Sequence, residues 1–553
     1  MKSIKGKKNG SSFRILSTTT KNIGNIVLIK PLFDSIGIRK IIDGYCPMER
    51  NGDGITNGQA IEALVLNRLT SPTPIVHVEE WASQYALEEI CGISPDEVND
   101  DRLRRSLDAI YPKIELIEAD VAINIMTRYK IRPELIHFDS TSLYFEGEYE
   151  ESDLLRLGYS RDKKPGTKQV NLTLDVDAKE GMPVFHTTHD GNKVDPHMAI
   201  ENLEKIRERL HPDKLIMVGD RSEIDGDVAL KIHTDYGLDF IAAVKMTEKT
   251  KELVHSILDG DFKPISILGT ETGQYLAYDA GSVIKYSASK KEAKRELDAR
   301  GIVVLSRRKT QQDKKRRDEA MSEIETKLNE IKSKLNKRQY KNSHFVAKRI
   351  SAIFEEKERY QKHSHLYMIN LKEKTVKKKS GSSSPNKQQG TEKRLSFSYS
   401  IDKEKLESDS KLDGKFVLST TLLDWSMERV VESYRTRYIA ESRIRNMKSE
   451  IKVRPVFLHD DNRIASLVFM SILALMVYSL LEILARRSGI MTVWGRNKNP
   501  VTTRQLLFVF ATITLVELLL KDGTKVTTVQ DLAPVQETVL KKLGFALPQS
   551  YIN

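Results

Sequence analysis

Two aspartates in this sequence follow apolar runs and could together hold a metal ion. Asp139 ends the run LIHF and Asp220 ends the run LIMVG, so each carboxylate is predicted at or near the carboxyl end of a central strand. Two converging carboxylates repel each other unless a cation lies between them, and oxygen ligands in a partly hydrated site suit Mg²⁺. Taken singly, each aspartate could equally be an ordinary residue of a turn.

A third acid stands in the segment YRTRYIAESRIRNMKSEIKVRP, within a long helix predicted from Met427 to Lys448. Tyr434, Arg437, Glu441 and Lys448 are separated by three, four and seven residues, which places them near one stripe of that helix. A carboxylate flanked by cations can hold a metal while its neighbours contact phosphates. The alternative is a solvated face, because Arg437 and Glu441 also form an ordinary i, i+4 pair.

The composition is that of a basic globular protein. The 553 residues are 39% apolar and 30% charged, with a formal charge of +12 and a pI of about 9.2. These values exclude a disordered tail or a fibre and indicate a polyanion such as nucleic acid as partner. Cys46 and Cys91 lack the spacing of a zinc site or a disulfide framework.

The elements that must position the acids are short strands and two helices. Three strands, a helix, a strand, a helix and a strand form the order of a ribonuclease H-like fold. The predicted ranges are 134–145, 168–177 and 182–188 for the first strands, 196–210 for the helix, then 214–219, 225–236 and 239–244. We therefore predict an α/β fold, with a mixed sheet flanked by helices as the catalytic core.

Around this core the sequence predicts further regions. The full division is a helical N-terminal domain for DNA binding or dimerisation at 1–131, the first part of the core at 132–249, a charged insertion of helix and loop at 250–415, the second part of the core with the Glu441 helix at 416–490, and a C-terminal helical region at 491–553. Within the insertion, apolar residues from Met321 to Leu335 recur every three or four positions, which permits a helical hairpin or short coiled coil.

One apolar segment is about long enough to span a bilayer. Ile464 to Ala485 contains three serines, Tyr478 and Glu482, and it follows directly on the basic motif. A helix that is apolar nearly all round is also what the centre of a large domain needs. We interpret the segment as a buried core helix and expect no membrane partner.

The spacing Y-x(2)-R-x(3)-E-x(6)-K is the signature of a large group of bacterial and archaeal insertion-sequence DDE transposases. This sequence resembles that group at all four positions, and also in Ser-Thr-Ser after Asp139, Val-Gly-Asp-Arg around Asp220, and an apolar helix after the motif. It is most similar to the longer members with a helical amino-terminal domain. One departure is Gly219 before Asp220 together with Ser-Glu after Arg221.

The resemblance implies roles for individual residues. Asp139, Asp220 and Glu441 would be the catalytic, metal-binding triad, and the DNA contacts would come from Tyr434, Arg437 and Lys448. In this assignment the two cations contact phosphates and the tyrosine helps to position the DNA end. Some relatives stack a flipped base on an aromatic residue of the insertion, for which Trp425 is a candidate.

The resemblance also implies the reaction. Two Mg²⁺ ions, with Mn²⁺ as a substitute, would support cutting of the transposon ends and joining of their 3′-hydroxyls to target DNA. The expected partners are double-stranded DNA, as inverted-repeat ends and target, and a second copy of the chain in a homodimer on DNA. The expected location is the prokaryotic cytoplasm, at the nucleoid. Alternatives are a catalytically inactive, transposase-derived DNA-binding protein, another ribonuclease H-like nuclease, and a structural coiled-coil protein.

Overall fold

The computed structural model describes residues 15–48, 54–162, 164–211, 214–288, 295–377, 391–454, 456–492 and 500–552. The chain divides into two compact units. The first comprises Met1–Ala242, Lys285–Leu297 and Ser433–Asn553, and the second comprises Ala243–Ile284 and Asp298–Glu432. All the sequence-predicted site residues except Trp425 belong to the first unit.

The first unit begins with a strand and a helical region. The bounds are β1 (Ile15–Asn22), α1 (Ile26–Ile36), α2 (Ile38–Tyr45), α3 (Asn57–Thr70), α4 (Val78–Gln84), α5 (Leu87–Cys91), α6 (Asp100–Ile110) and α7 (Ile114–Tyr129). Thr56 and Gln59 form a reciprocal capping box that starts α3. The helical character predicted before residue 131 is thus confirmed, although β1 was not predicted.

The predicted strand and helix order of the core is confirmed. The bounds are β2 (Leu135–Phe145), β3 (Arg156–Leu157), β4 (Lys168–Asp177), β5 (Pro183–Asp190), α8 (Asp195–Leu210), β6 (Ile216–Gly219), α9 (Gly226–Leu230) and β7 (Asp239–Ala243). The strand order is β3-β4-β2-β6-β7, with β5 on β4. Since β2 pairs antiparallel with β4 and parallel with β6, the sheet is mixed, as expected.

The second unit contains the predicted insertion, but it is not only helix and loop. Its elements are α10 (Glu248–Ser256), β8 (Lys263–Ile265), β9 (Tyr275–Ser287), β10 (Glu296–Ser306), α11 (Arg307–Lys334), α12 (Ser343–Glu355), α13 (Glu358–His363), β11 (Tyr367–Lys377), β12 (Thr391–Ile401), α14 (Lys403–Ser410), β13 (Lys415–Thr420) and α15 (Met427–Arg435), whose last three residues belong to the first unit. The apolar seam of α11 packs on α12 and α13, which confirms the helical hairpin. The strands β11 and β12 form a long antiparallel hairpin that the charged sequence did not predict.

The first unit resumes with α16 (Tyr438–Ser449), α17 (Asp461–Arg487), α18 (Thr503–Phe510), β14 (Thr514–Leu520), β15 (Lys525–Val529) and α19 (Pro534–Leu543). The prediction of a wholly helical C-terminal region is wrong over 514–529. In these residues β14 and β15 form a hairpin, and β14 also pairs with β1 near the other end of the sequence. Local patterning does not reveal pairing between residues so distant in sequence.

The apolar segment is the core of α17. In the described part of the chain, this one helix is long and apolar enough to cross a membrane, and 94% of its most apolar window is buried inside the protein. It packs against α1, α3, α6 and β5, so its apolar sides face neighbouring elements of the same unit. Because α17 is buried on all sides, it is apolar nearly all round, as expected for a core helix.

Candidate active site

The sheet brings the two aspartates side by side. The parallel register of β2 and β6 pairs Leu135 with Ile216 and His137 with Val218. Continued by two residues, it sets Asp139 level with Asp220, which follows directly after the last residue of β6. The sequence predicted Asp139 at or near the end of its strand. In the structure it lies in the middle of β2, just beyond the part paired with β6.

The helix carrying the third acid is broken, whereas the sequence predicted one continuous helix from Met427 to Lys448. At the break the N–H of Arg437 donates to the carbonyl of Tyr434 at 3.2 Å. The Thr436 hydroxyl donates to the Ser433 carbonyl at 2.8 Å and also lies 2.9 Å from Nε2 of His137, a fully buried residue of β2. The break is thereby fixed to the strand that carries Asp139.

Arg437 lies at the centre of the site. Its guanidinium nitrogens are 3.5 Å from Asp220 Oδ1, 3.9 Å from Asp139 Oδ1 and 3.8 Å from Glu223 Oε2, and its side chain is only 11% exposed. The guanidinium also donates to the Tyr434 hydroxyl at 3.3 Å, and that hydroxyl lies 3.5 Å from Asp220 Oδ1. The structure therefore gathers Asp139, Asp220, Tyr434 and Arg437 into one cluster.

The electrostatics of the cluster follow from this crowding. Burial raises the pKa of Asp139 to about 6; Arg437 opposes the rise, while the charges of Glu441 and Asp220 add to it. Burial lowers the pKa of Arg437, but the facing carboxylates outweigh that effect and raise it above its usual value. The site thus contains more negative charge than the single guanidinium neutralises.

Glu441 extends from the first turn of α16 with an exposed carboxylate, close enough for its charge to act on Asp139. The helix itself is held by Arg443, whose buried guanidinium donates to the Gly181 carbonyl at 2.7 Å and pairs with Glu482 of α17 at 3.1 Å. Because α16 also packs on β2, the position of Glu441 relative to the strand is set by the core.

Lys448 lies two turns along α16 and has its own partner. Its Nζ is 2.6 Å from Asp162 Oδ1, and Arg454 approaches Asp162 Oδ2 to 3.2 Å while lying 3.9 Å over the ring of Tyr144. Burial lowers the pKa of Lys448, and Asp162 opposes that shift. The structure thus separates Lys448 from the carboxylate cluster and places it in a second, basic cluster.

Glu223 is the member of the carboxylate cluster that sequence reasoning missed. Its side chain is fully buried, and burial raises its pKa to about 8, with Asp139 adding to the rise and Arg437 opposing it. The only sequence signal was the noted departure around Gly219. Trp425, the candidate stacking residue, belongs to the second unit, where its ring lies 3.5 Å from the Arg429 guanidinium.

The donor set fits a divalent metal, although the carboxylates do not converge on one point. Within the described ranges, no three Asp, Glu, His or Cys side chains form a ready metal site. The carboxylates are hard oxygen donors, and the pKa values of Asp139 and Glu223 remain raised beside Arg437. Additional positive charge would therefore stabilise their ionised forms.

Comparisons with known proteins show the family to which the chain belongs. The family described as "Transposase DDE domain" matches residues 131–477, so the chain belongs to that family. A domain of unknown function (DUF4277) matches residues 18–116. DDE transposases generally use divalent metal ions, and the chain is a transposase by family.

Two solved structures show weaker likeness. One is a cryo-EM structure of the piggyBac transposase synaptic complex with hairpin DNA, at 9% identity and a TM-score of 0.37, covering 89% of this chain and 82% of that one. The other is a Mos1 transposase paired-end complex with the left transposon end, at 12% identity and a TM-score of 0.14, covering 35% and 61%. No curated protein matches this chain.

Proposed function

We propose that this chain is an insertion-sequence transposase that cuts the ends of its element and joins the 3′-hydroxyls to target DNA. The observation that carries the proposal is the alignment of Asp139 with Asp220 on neighbouring strands, with Arg437 between them and Glu441 on the adjoining helix. Family membership supports the class of reaction, and the Tyr-Arg-Glu-Lys spacing supports the insertion-sequence type.

Each residue of the site has a role in this proposal. Asp139, Asp220 and Glu441 would hold two Mg²⁺ ions, or Mn²⁺ in their place. The bound metal would supply activation of water or of a DNA 3′-hydroxyl and stabilisation of the leaving oxygen. Arg437 limits repulsion among the carboxylates, and Tyr434 fixes the orientation of the guanidinium through their 3.3 Å hydrogen bond.

The basic cluster supplies the phosphate contacts. Lys448 and Arg454 share the single carboxylate of Asp162, so the three side chains together carry one net positive charge. An approaching phosphate would compete with Asp162 for Lys448 and Arg454, because a phosphate and a carboxylate both accept charge-assisted hydrogen bonds from these cations. The partner we propose is double-stranded DNA at the inverted-repeat ends, bound by a homodimer.

The test is cleavage of DNA that carries the inverted repeats flanking the gene. Purified protein should nick the repeat ends only with Mg²⁺ or Mn²⁺, and Glu441→Ala should abolish nicking while retaining DNA binding. Glu450→Ala is the matched control, since Glu450 lies just past α16 and faces Arg504 instead of the site. Binding without cleavage by the wild type would favour an inactive DNA-binding protein, and metal-dependent cleavage elsewhere would favour another nuclease.

A further inference from the structure

Glu223 is a buried acid that lies close to other carboxylates. Its side chain is 3% exposed, and it lies among carboxylates whose charges raise its pKa. Burial of an ionisable group beside like charges costs folding free energy, and an apolar residue of similar size would avoid that cost. A role in stability is therefore a poor explanation for a glutamate here.

The carboxylate of Glu223 is fixed by its own loop. Its Oε2 accepts a hydrogen bond from the backbone N–H of Asp220 at 2.5 Å. In return, the N–H of Glu223 donates to the Asp220 carbonyl at 3.1 Å, so residues 220–223 close on themselves. These two hydrogen bonds fix the backbone of Asp220 just after the end of β6. The same Oε2 of Glu223 lies 3.8 Å from the Arg437 guanidinium.

Gly219 makes room for this arrangement. A Cβ at position 219 would lie 2.9 Å from side-chain atoms of Ile224 and 3.3 Å from Glu223 Oε2. The two unusual features of the sequence, a glycine before the second aspartate and a glutamate three residues after it, are therefore one structural feature. Any larger residue at 219 would push the Glu223 carboxylate or Ile224 out of place.

We infer that Glu223 is a positioning residue of the cleavage site, which sets the backbone of Asp220 and holds the Arg437 guanidinium against the catalytic carboxylates. This inference rests on the proposed function of the site. Glu223 acts through two partners, because one of its oxygens accepts from the main chain of Asp220 and faces the Arg437 guanidinium, which lies near both aspartates. Its loss should change metal affinity and the rate of cleavage, but not affinity for DNA.

The variant that tests this is Glu223→Gln, compared with the wild type at pH 8.5, above the Glu223 pKa of about 8, so that the wild-type carboxylate is mostly ionised. The glutamine amide oxygen still accepts from the Asp220 N–H but carries no charge to attract Arg437. Mn²⁺ affinity, measured by electron paramagnetic resonance on the metal-free protein, should fall at least about fivefold, and the single-turnover cleavage rate about tenfold, with DNA-end Kd within about twofold. The control is Glu62→Gln, because Glu62 of α3 is equally buried and is paired with Arg39 and Lys30 and not with a residue of the site.

Gly219→Ala gives a second route that keeps the glutamate but places a Cβ against Ile224 and the Glu223 carboxylate, and it should produce the same losses. It also decides the question if Glu223→Gln does not fold. In an Arg437→Gln background, Glu223→Gln should change the cleavage rate by less than about twofold, because its main partner is gone. If folded Glu223→Gln or Gly219→Ala binds Mn²⁺ as tightly as the wild type, the inference is overturned. Absence of end cleavage by the wild type would instead count against the proposed function. The comparison of Mn²⁺ affinities would still test whether Glu223 positions the site.

Discussion

Replacing Arg437 with glutamine should destabilise the metal-free protein. The guanidinium lies 3.5–3.9 Å from three carboxylates, and its side chain is 11% exposed. Removing one partner of a buried ion pair costs about 3–5 kcal/mol. Because the contacts are longer than direct hydrogen bonds and the Asp220 side chain is 41% exposed, we expect a loss near the lower end, about 3 kcal/mol at pH 8.

The loss should depend on pH and on metal, since it arises from uncompensated negative charge. With a pKa near 8 for Glu223 and near 6 for Asp139, both side chains take up protons as the pH falls from 8 to 5, which relieves the repulsion, so the deficit should shrink at pH 5. Mn²⁺ should also stabilise the variant more than the wild type, because it supplies the missing positive charge.

The assay is urea unfolding followed by circular dichroism at pH 8 and pH 5, with EDTA or with excess Mn²⁺. Arg221→Gln is the matched control, because Arg221 follows Asp220 directly but is exposed, and its unfolding should match the wild type within about 0.5 kcal/mol. An Arg437→Gln deficit that is the same at both pH values and with Mn²⁺ would refute the reasoning, since it would reflect lost packing and not lost charge.

Two further predictions concern charges elsewhere in the first unit. Asp162→Asn should tighten binding of repeat-end DNA about threefold and steepen its salt dependence, because Lys448 and Arg454 lose their internal partner; fluorescence anisotropy over a salt series checks this, and weaker binding would contradict it. Burial raises the pKa of Asp175 to about 8 in the folded protein, so only the folded state binds this proton between pH 4 and 8, and stability falls as pH rises through that range. Asp175→Asn should remove about 1.4 kcal/mol per pH unit of that fall, measured as the difference in unfolding free energy between pH 5 and 7; a parallel pH dependence in both proteins would contradict it.

Local patterning was sufficient for the core of the fold. Short apolar runs bounded by turn residues predicted β2, β4, β5, β6 and β7 in their observed order, since each strand is set by its own alternation or burial. The same patterning predicted that Asp139 and Asp220 lie on neighbouring central strands, and the observed parallel pairing of β2 with β6 brings them level.

What the sequence did not reveal depends on distant contacts. The strand β1 pairs with β14, which lies near the opposite end of the sequence, so the residues around β1 do not indicate its partner. The break before α16 lies where Thr436 contacts His137 of β2, a residue distant in sequence. The helical periodicity of the segment does not show this contact, so it predicted one continuous helix. The hairpin of β11 and β12 was hidden by its charged residues, which are typical of solvated loops.

The three acids of the proposed site could be selected from the sequence, but the residues that contact them could not. The spacing from Tyr434 to Lys448 suggested four residues on one stripe, whereas in the structure Lys448 pairs with Asp162 and Arg437 lies among carboxylates. Glu223 could not be singled out, because a glutamate three residues past a strand-end aspartate is usually a solvated turn residue. Only its contact with the Asp220 N–H and the space left by Gly219 identify it.

We propose that Asp139, Asp220 and Glu441 act as one metal-dependent centre for DNA cleavage. The most direct test is single-turnover cleavage of inverted-repeat ends with Mn²⁺ by the wild type, by Asp139→Asn, Asp220→Asn and Glu441→Gln, and by the triple variant. We expect each single variant to lose at least about 100-fold in rate, and the triple variant to be no slower than the slowest single one, because the three groups act as a unit. A single variant that cleaves at close to the wild-type rate would contradict the assignment of that residue to the centre.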